Sequence, residues 1–178
     1  EPRNWLGRAR LMAAVIVAAA VCTGGAYEYL FAPEGTAYVT GIGGRKILTL
    51  ADGSEIELNT NTEVRIATDD NTRKVWLTKG EAFFQVRHDA QHPFTVTVGD
   101  HKITDLGTKF LVRRQDDGMI VSLVEGRARI DTISTGSNTQ AAELEPGDVA
   151  RATHTSVSVS HTQVVKLETE LGWRRGVL

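Results

Sequence analysis

The sequence holds a single cysteine, Cys22, so no internal disulfide can form and cysteine usage does not report a redox compartment. Neither charge is in excess. The formal net charge is −2, from 20 Lys and Arg against 22 Asp and Glu, and no basic patch stands out in the folded part, which removes nucleic acid from the expected partners. Metal-ligand spacing is missing as well. None of His88, His92, His101, His154 and His161 stands in a His-x-His or His-Glu-x-x-His pattern, and His88 and His92 fall in a polar stretch that suits the surface. Pro146-Gly147-Asp148 resembles turns of cupin barrels, but the histidine and glutamate ligand set of a cupin enzyme is not there, so no metal or cofactor is expected. A Gly-x-Ser-x-Gly elbow and a glycine-rich loop before a helix are both absent. Hydrolase and nucleotide-binding readings therefore have no signature. The chain lacks an initiator methionine and stops at Trp173-Arg-Arg-Gly-Val-Leu178, from which we expect a piece of something longer.

What is present begins with a long apolar run. Residues 11–27 carry no charge, and the run continues to Phe31 with one acidic residue, Glu28. Spanning a bilayer takes about 20 mostly apolar residues. Arg3, Arg8 and Arg10 precede the run, Trp5 flanks one end, and Tyr27, Tyr29 and Phe31 flank the other. The positive-inside rule then predicts a single transmembrane helix at 11–31, a cytoplasmic end at 1–10, and everything later outside the cytoplasm. A cleaved export signal is the competing reading, and it places the remainder on the same side. Thr23, Gly24 and Gly25 weaken the helix, since each Gly costs about 1 kcal/mol relative to Ala.

Beyond a short linker at Pro33-Glu-Gly35 the pattern becomes alternating. Ile56 and Leu58 face one way, and Val64 and Ile66 resume the alternation. Ala82, Phe84 and Val86 share a face, as do Phe94, Val96 and Val98. Asp52-Gly53 sits between two such runs as a hairpin signal. Many short strands at this spacing predict an all-β domain over 35–163. Only residues 164–171 suit a helix, and 164–178 reads as a linker after the β-domain.

Two segments repeat one pattern. Val75-Trp-Leu-Thr-Lys-Gly80-Glu-Ala82 and Val121-Ser-Leu-Val-Glu-Gly126-Arg-Ala128 both read V-x-L-x-x-G-x-A. Looser echoes end at Gly53 and Gly147. Gly53, Gly80, Gly126 and Gly147 are the expected structural turns, and the recurrence predicts stacked hairpins or solenoid-like coils around one core. Between the copies, 103–112 reads as one strand with Thr104, Leu106, Thr108, Phe110 and Val112 on the inner face. Phe84, Phe94 and Phe110 are assigned to the core, whereas Trp76 and Phe83 lie off the apolar faces and are candidates for a partner surface.

Several motifs together resemble the FecR family. They are Thr49-Leu-Ala-Asp-Gly-Ser-Glu-Ile-Glu-Leu-Asn-Thr60, the first repeat through Val86, His92-Pro-Phe-Thr-Val-Thr-Val98, Asp105-Leu-Gly-Thr-Lys-Phe-Leu-Val112 and Leu144-Glu-Pro-Gly-Asp148. The resemblance implies a β-sandwich or short β-solenoid outside the inner membrane of a bacterium. It implies a single-span anti-sigma factor or sigma regulator that relays a signal from an outer-membrane TonB-dependent siderophore receptor to a cytoplasmic extracytoplasmic-function sigma factor. The partners would be that sigma factor and receptor, through domains this stretch does not contain apart from the start of a truncated C-terminal signalling domain in 164–178, and an intramembrane protease, whose expected cleavage region is Thr23, Gly24 and Gly25. The alternative is an anchored periplasmic β-domain that binds cell-wall or polysaccharide ligands, without sigma control.

The resemblance also implies one possible self-cleavage, at Gly107-Thr108. The residues suit it. Thr108 can attack the Gly107 carbonyl through its own hydroxyl, turning the amide into an ester that water opens. Gly107 removes steric hindrance at the attacked carbon. Such a break is a single turnover and not enzymatic catalysis. The step needs a base, and the sequence identifies none; His101 and Asp105 are merely near in number.

Overall fold

The structure, a computed structural model, describes residues 35–69, 72–105, 107–133 and 140–175. The predicted span at 11–31, with Thr23, Gly24 and Gly25, and the inward position assigned to Leu106 lie outside these residues. Among the described residues no helix is long and apolar enough to cross a membrane.

Among the described residues fourteen strands follow the alternation. They are β1 (Thr36–Val39), β2 (Lys46–Thr49), β3 (Glu55–Leu58), β4 (Glu63–Thr68), β5 (Arg73–Lys79), β6 (Glu81–Gln85) and β7 (Phe94–Val98). Then come β8 (His101–Asp105), β9 (Lys109–Gln115), β10 (Gly118–Glu125), β11 (Ala128–Thr132), β12 (Ala141–Leu144), β13 (Asp148–Thr153) and β14 (Val157–His161). They form two seven-stranded sheets, ordered β1-β4-β5-β7-β8-β11-β12 and β14-β13-β10-β9-β6-β3-β2. The inward residues of both sheets make one core, within which the Phe84 and Phe110 rings stack 4.9 Å apart. The domain is all-β, as the alternation predicts, and sandwich-like, one of the two folds the family resemblance implies.

The chain passes repeatedly from one sheet to the other, and this corrects the hairpin reading of the two repeats. Gly80 joins β5 of the first sheet to β6 of the second, and Gly126 joins β10 of the second to β11 of the first. Both glycines have positive φ, +82° and +87°. Each is a corner between sheets and not the tip of a hairpin. Gly53, at φ +84°, does sit in a hairpin turn, between β2 and β3. Gly147, at +94°, lies between β12 and β13, which belong to different sheets.

The repeat extends well past the motif. Tyr38 faces Val64 as Phe84 faces Phe110, and Ile66 faces Val75 as Val112 faces Val121. Each number rises by 46, the step from Gly80 to Gly126. Even the ladder irregularity recurs: it sets Glu63 against Lys79 and Lys109 against Glu125, with the charges exchanged. The copies occupy opposite sheets, so the sandwich is largely one module placed twice across a shared core.

Residues 103–112 are not one strand. β8 ends at Asp105 in the first sheet and β9 begins at Lys109 in the second. The buried residues of β8 are His101, Ile103 and Asp105, so Thr104 faces outward, opposite to its assigned side. A second correction concerns Phe83. A helix α1 (Val164–Glu170) and a 3-10 turn (Leu171–Arg175) follow β14. Leu171 packs on Phe83 and Leu111, and the Arg174 guanidinium lies 3.7 Å from the Phe83 ring centre. Phe83 is 1% exposed and offers no open surface, while Trp76 remains half-buried.

Candidate functional site

The corner from β8 to β9 holds Gly107 and Thr108. Asp105 ends β8 with Phe94 opposite it on one neighbouring strand and Ala128 on the other, and it is fully buried. A carboxylate in such surroundings is costly unless it is paired or hydrogen-bonded. Here its Oδ1 accepts the Thr108 hydroxyl in a short hydrogen bond, and also the Gly107 N–H at 3.2 Å. Thr108 is 3% exposed, and its carbonyl accepts Val86 N–H at 2.9 Å, which ties the corner to the end of β6.

Two neighbours close on the Gly107–Thr108 peptide. Gly107 has φ +110°, and a Cβ there would stand 2.5 Å from His88 Cβ and 2.9 Å from His88 Nδ1. A Cβ on Gly126 would stand 2.6 Å from the Gly107 carbonyl oxygen and 2.5 Å from Thr108 Cγ2. All four distances are inside van der Waals contact, so each glycine is needed for close approach. The second repeat's corner therefore rests directly on the predicted cleavage bond.

His88 reaches Gly107 because Arg73 fixes its loop. The buried Arg73 guanidinium donates to the carbonyls of His92 at 2.6 Å, Arg87 at 3.0 Å and Asp89 at 3.4 Å, and pairs with Asp52 at 2.8 Å. Burial alone would raise the Asp52 carboxyl; the bonds from Arg73 and Ser54 overcome this and hold it below the usual carboxylate range. The same loop carries an Asp89–His92 contact of 3.0 Å, which with backbone N–H bonds lowers the exposed Asp89 carboxyl to about 2. Sequence reasoning assigned His88 to the surface. It is exposed, yet its Cβ meets the corner, and nothing local in the sequence marks a contact with a residue so distant in the chain.

His101, one of the two groups near in number, is elsewhere. Its Nε2 lies 3.1 Å from Thr153 O and its Nδ1 3.4 Å from Thr132 Oγ1, at the far end of β8. Four residues of strand separate it from Asp105 by about 13 Å. Asp105 does reach Thr108. Among the described residues no group of three or more His, Cys, Asp or Glu side chains is placed to hold a metal ion.

The first repeat supplies a control for this site. There Leu58 faces Ala82 as Asp105 faces Ala128, so leucine fills the position that Asp105 takes. Thr62 stands where Thr108 does, against Gly80. Its hydroxyl donates to the carbonyls of Glu81 at 3.0 Å and Thr60 at 3.1 Å, and accepts Glu81 N–H at 3.0 Å. The two corners thus share a threonine and a close-packed glycine, and only the second has a carboxylate.

The sequence profile of the family described as FecR protein matches residues 36–129, more than half of the chain. The chain belongs to the FecR family. Among solved structures it is similar to two crystal structures of a candidate anti-sigma factor from Parabacteroides distasonis, at 2.50 and 1.65 Å. Each is 26% identical with a TM-score of 0.65, over 76% of this chain and 64% of that one. The chain thus spans under two thirds of the length of those structures. No curated protein matches it. The FecR match contains both corners and ends within β11, so the last three strands extend the sandwich beyond it.

Proposed function

We propose that this FecR-family chain is the anchor and periplasmic sandwich of a single-span inner-membrane regulator. It relays occupancy of an outer-membrane TonB-dependent siderophore receptor to a cytoplasmic sigma factor, by regulated proteolysis that ends within the membrane. One observation carries the reading: the family match begins at residue 36, directly after an apolar run that three arginines precede. The similarity to a candidate anti-sigma factor supports the same class. A lone helix transmits little shape change, so partner exchange or cleavage is the physically simplest relay. The polysaccharide-binding alternative needs an exposed aromatic platform; Phe83, Phe84, Phe94 and Phe110 are buried, which leaves the half-buried Trp76 alone of that set.

We further propose that the Gly107–Thr108 bond breaks itself, leaving two fragments paired across the sheets. The relay is tested in the native host. A reporter that works only outside the cytoplasm, fused after Thr40, is expected to be active. Gly24→Leu with Gly25→Leu is expected to slow release of the N-terminal fragment. A silent fusion overturns the orientation, and an unchanged release rate overturns the role of the glycines.

A further inference from the structure

The corner contains a base for the self-cleavage, and the comparison between repeats isolates it. Asp105 occupies a core position that Leu58 fills in the other copy, so packing and register do not call for a carboxylate there. The hydroxyl of Thr62 is engaged with main-chain groups, whereas the hydroxyl of Thr108 is directed at Asp105 Oδ1. That oxygen accepts two donors at once, the Thr108 hydroxyl and the Gly107 N–H, so it sits where it can take the hydroxyl proton. A carboxylate bonded to a hydroxyl inside a protein core, with no structural counterpart in the sister module, marks an activated nucleophile.

We propose that Asp105 is the catalytic base of Gly107–Thr108 cleavage, a role that rests on the self-cleavage reading above. Asp105 takes the proton from Thr108 Oγ1 as that oxygen bonds to the Gly107 carbonyl carbon. The electron pair of the C=O bond moves to oxygen, giving a five-membered ring. The ring opens by breaking the C–N bond, and the Asp105 carboxyl returns its proton to the Thr108 nitrogen. An ester now joins Gly107 to Thr108 Oγ1, and Thr108 carries a free amine. Water opens the ester, leaving a carboxyl group on Gly107 and restoring the Thr108 hydroxyl. Gly126, which no Cβ separates from the Gly107 carbonyl, leaves room for the carbon to become tetrahedral.

The experiment follows the whole chain after cell-free synthesis into detergent, with intact mass read against time. The wild type is expected to yield a fragment beginning at Thr108, and hydroxylamine to trap the ester as a Gly107 hydroxamate. Asp105→Asn keeps the shape and hydrogen bonds of the turn, and is expected to cleave about 100-fold more slowly or less, with no trapped ester. Asp105→Glu is expected to recover part of the rate. Asp105→Leu removes the carboxylate and leaves the Thr108 hydroxyl and the Gly107 N–H without that acceptor; it is expected to fold with a lowered thermal midpoint and to stay intact. Cleavage of Asp105→Asn within about threefold of wild type, well short of what a general base supplies, overturns the assignment and leaves self-cleavage standing. An intact wild type overturns self-cleavage and the assignment together. Failure of both the Asn and Leu variants to fold makes Asp105 a structural group and overturns the assignment as well.

Discussion

The first corner of the sandwich is built from Leu58, Thr62 and Gly80, and the second from Asp105, Thr108 and Gly126. Thr62 and Thr108 are both buried, and Gly80 and Gly126 have nearly the same φ. The second corner is one residue shorter and exchanges leucine for aspartate. What the copies share is what the fold requires, a threonine under a glycine where the chain changes sheets. What only one copy has is where a role beyond folding is to be sought. A duplicated module thus separates structural from chemical residues within one molecule.

The sharpest break in this comparison is to exchange the differing residues. Leu58→Asp removes a fully buried side chain from the core and places a charge where Thr62 already has other partners. Combining the lost burial with an unpaired buried charge, it should cost about 4 kcal/mol or more. Asp105→Leu fits the core but leaves the Thr108 hydroxyl and the Gly107 N–H without their acceptor, and should cost less, about 1–3 kcal/mol. Urea unfolding of both variants checks the pair. Equal losses would show that the corners are not equivalent and remove the argument drawn from them.

The shared residues make the next prediction. Gly80→Val and Gly126→Val each force a β-branched side chain into positive φ and against backbone, at Asn61–Thr62 and Gly107–Thr108 respectively. Strain of this kind should cost about 2–3 kcal/mol at either site. Near-equal losses in the urea midpoint are expected. A loss at one corner alone, or below about 0.5 kcal/mol at both, as at a neutral surface site, would break the equivalence.

These contrasts bear on what the chain shows before it folds. The strands and their inward faces were legible because alternation reports directly on burial, as Ile56 and Leu58 do in β3. The repeat was legible as V-x-L-x-x-G-x-A. Alternation reports a face and not a sheet, however, so the same letters describe a strand folding back and a strand crossing over. Residues 103–112 misled for the same reason. An inward pattern ran through Thr104, Thr108 and Phe110, yet Ile103 and Phe110 are both buried at an odd separation. A single strand with one buried face does not do that, and the corner at Gly107 resets the phase. Phe83 is buried because the turn at Leu171–Arg175 covers the outer face of β6, a contact written far along the chain. Of the candidate site, the Gly107–Thr108 bond was legible as a motif. The roles of Asp105 and Arg73 were not, since both depend on pairings between distant strands.

The smallest effect expected concerns the two ends of β8, which carry buried titratable groups of different kinds. Asp105 serves the corner, whereas His101 at the other end contacts Thr153 O and Thr132 Oγ1. Burial pushes the His101 imidazole below its ordinary value of 6.5, against the raising effect of its bond to Thr153 O. Its folded value thus lies below its unfolded one. The unfolded state takes up the proton first, so the contribution of His101 is complete above about pH 6.5 and is lost as pH falls through the folded value. His101→Gln keeps a donor near Thr153 O without that proton uptake. Its stability relative to wild type should therefore rise between pH 7 and pH 5, measured as the difference in urea midpoints at each pH. A difference that does not change with pH would mean that His101 titrates alike in both states. The rate of cleavage at Gly107–Thr108 should not follow this titration, because about 13 Å of strand separates the two ends.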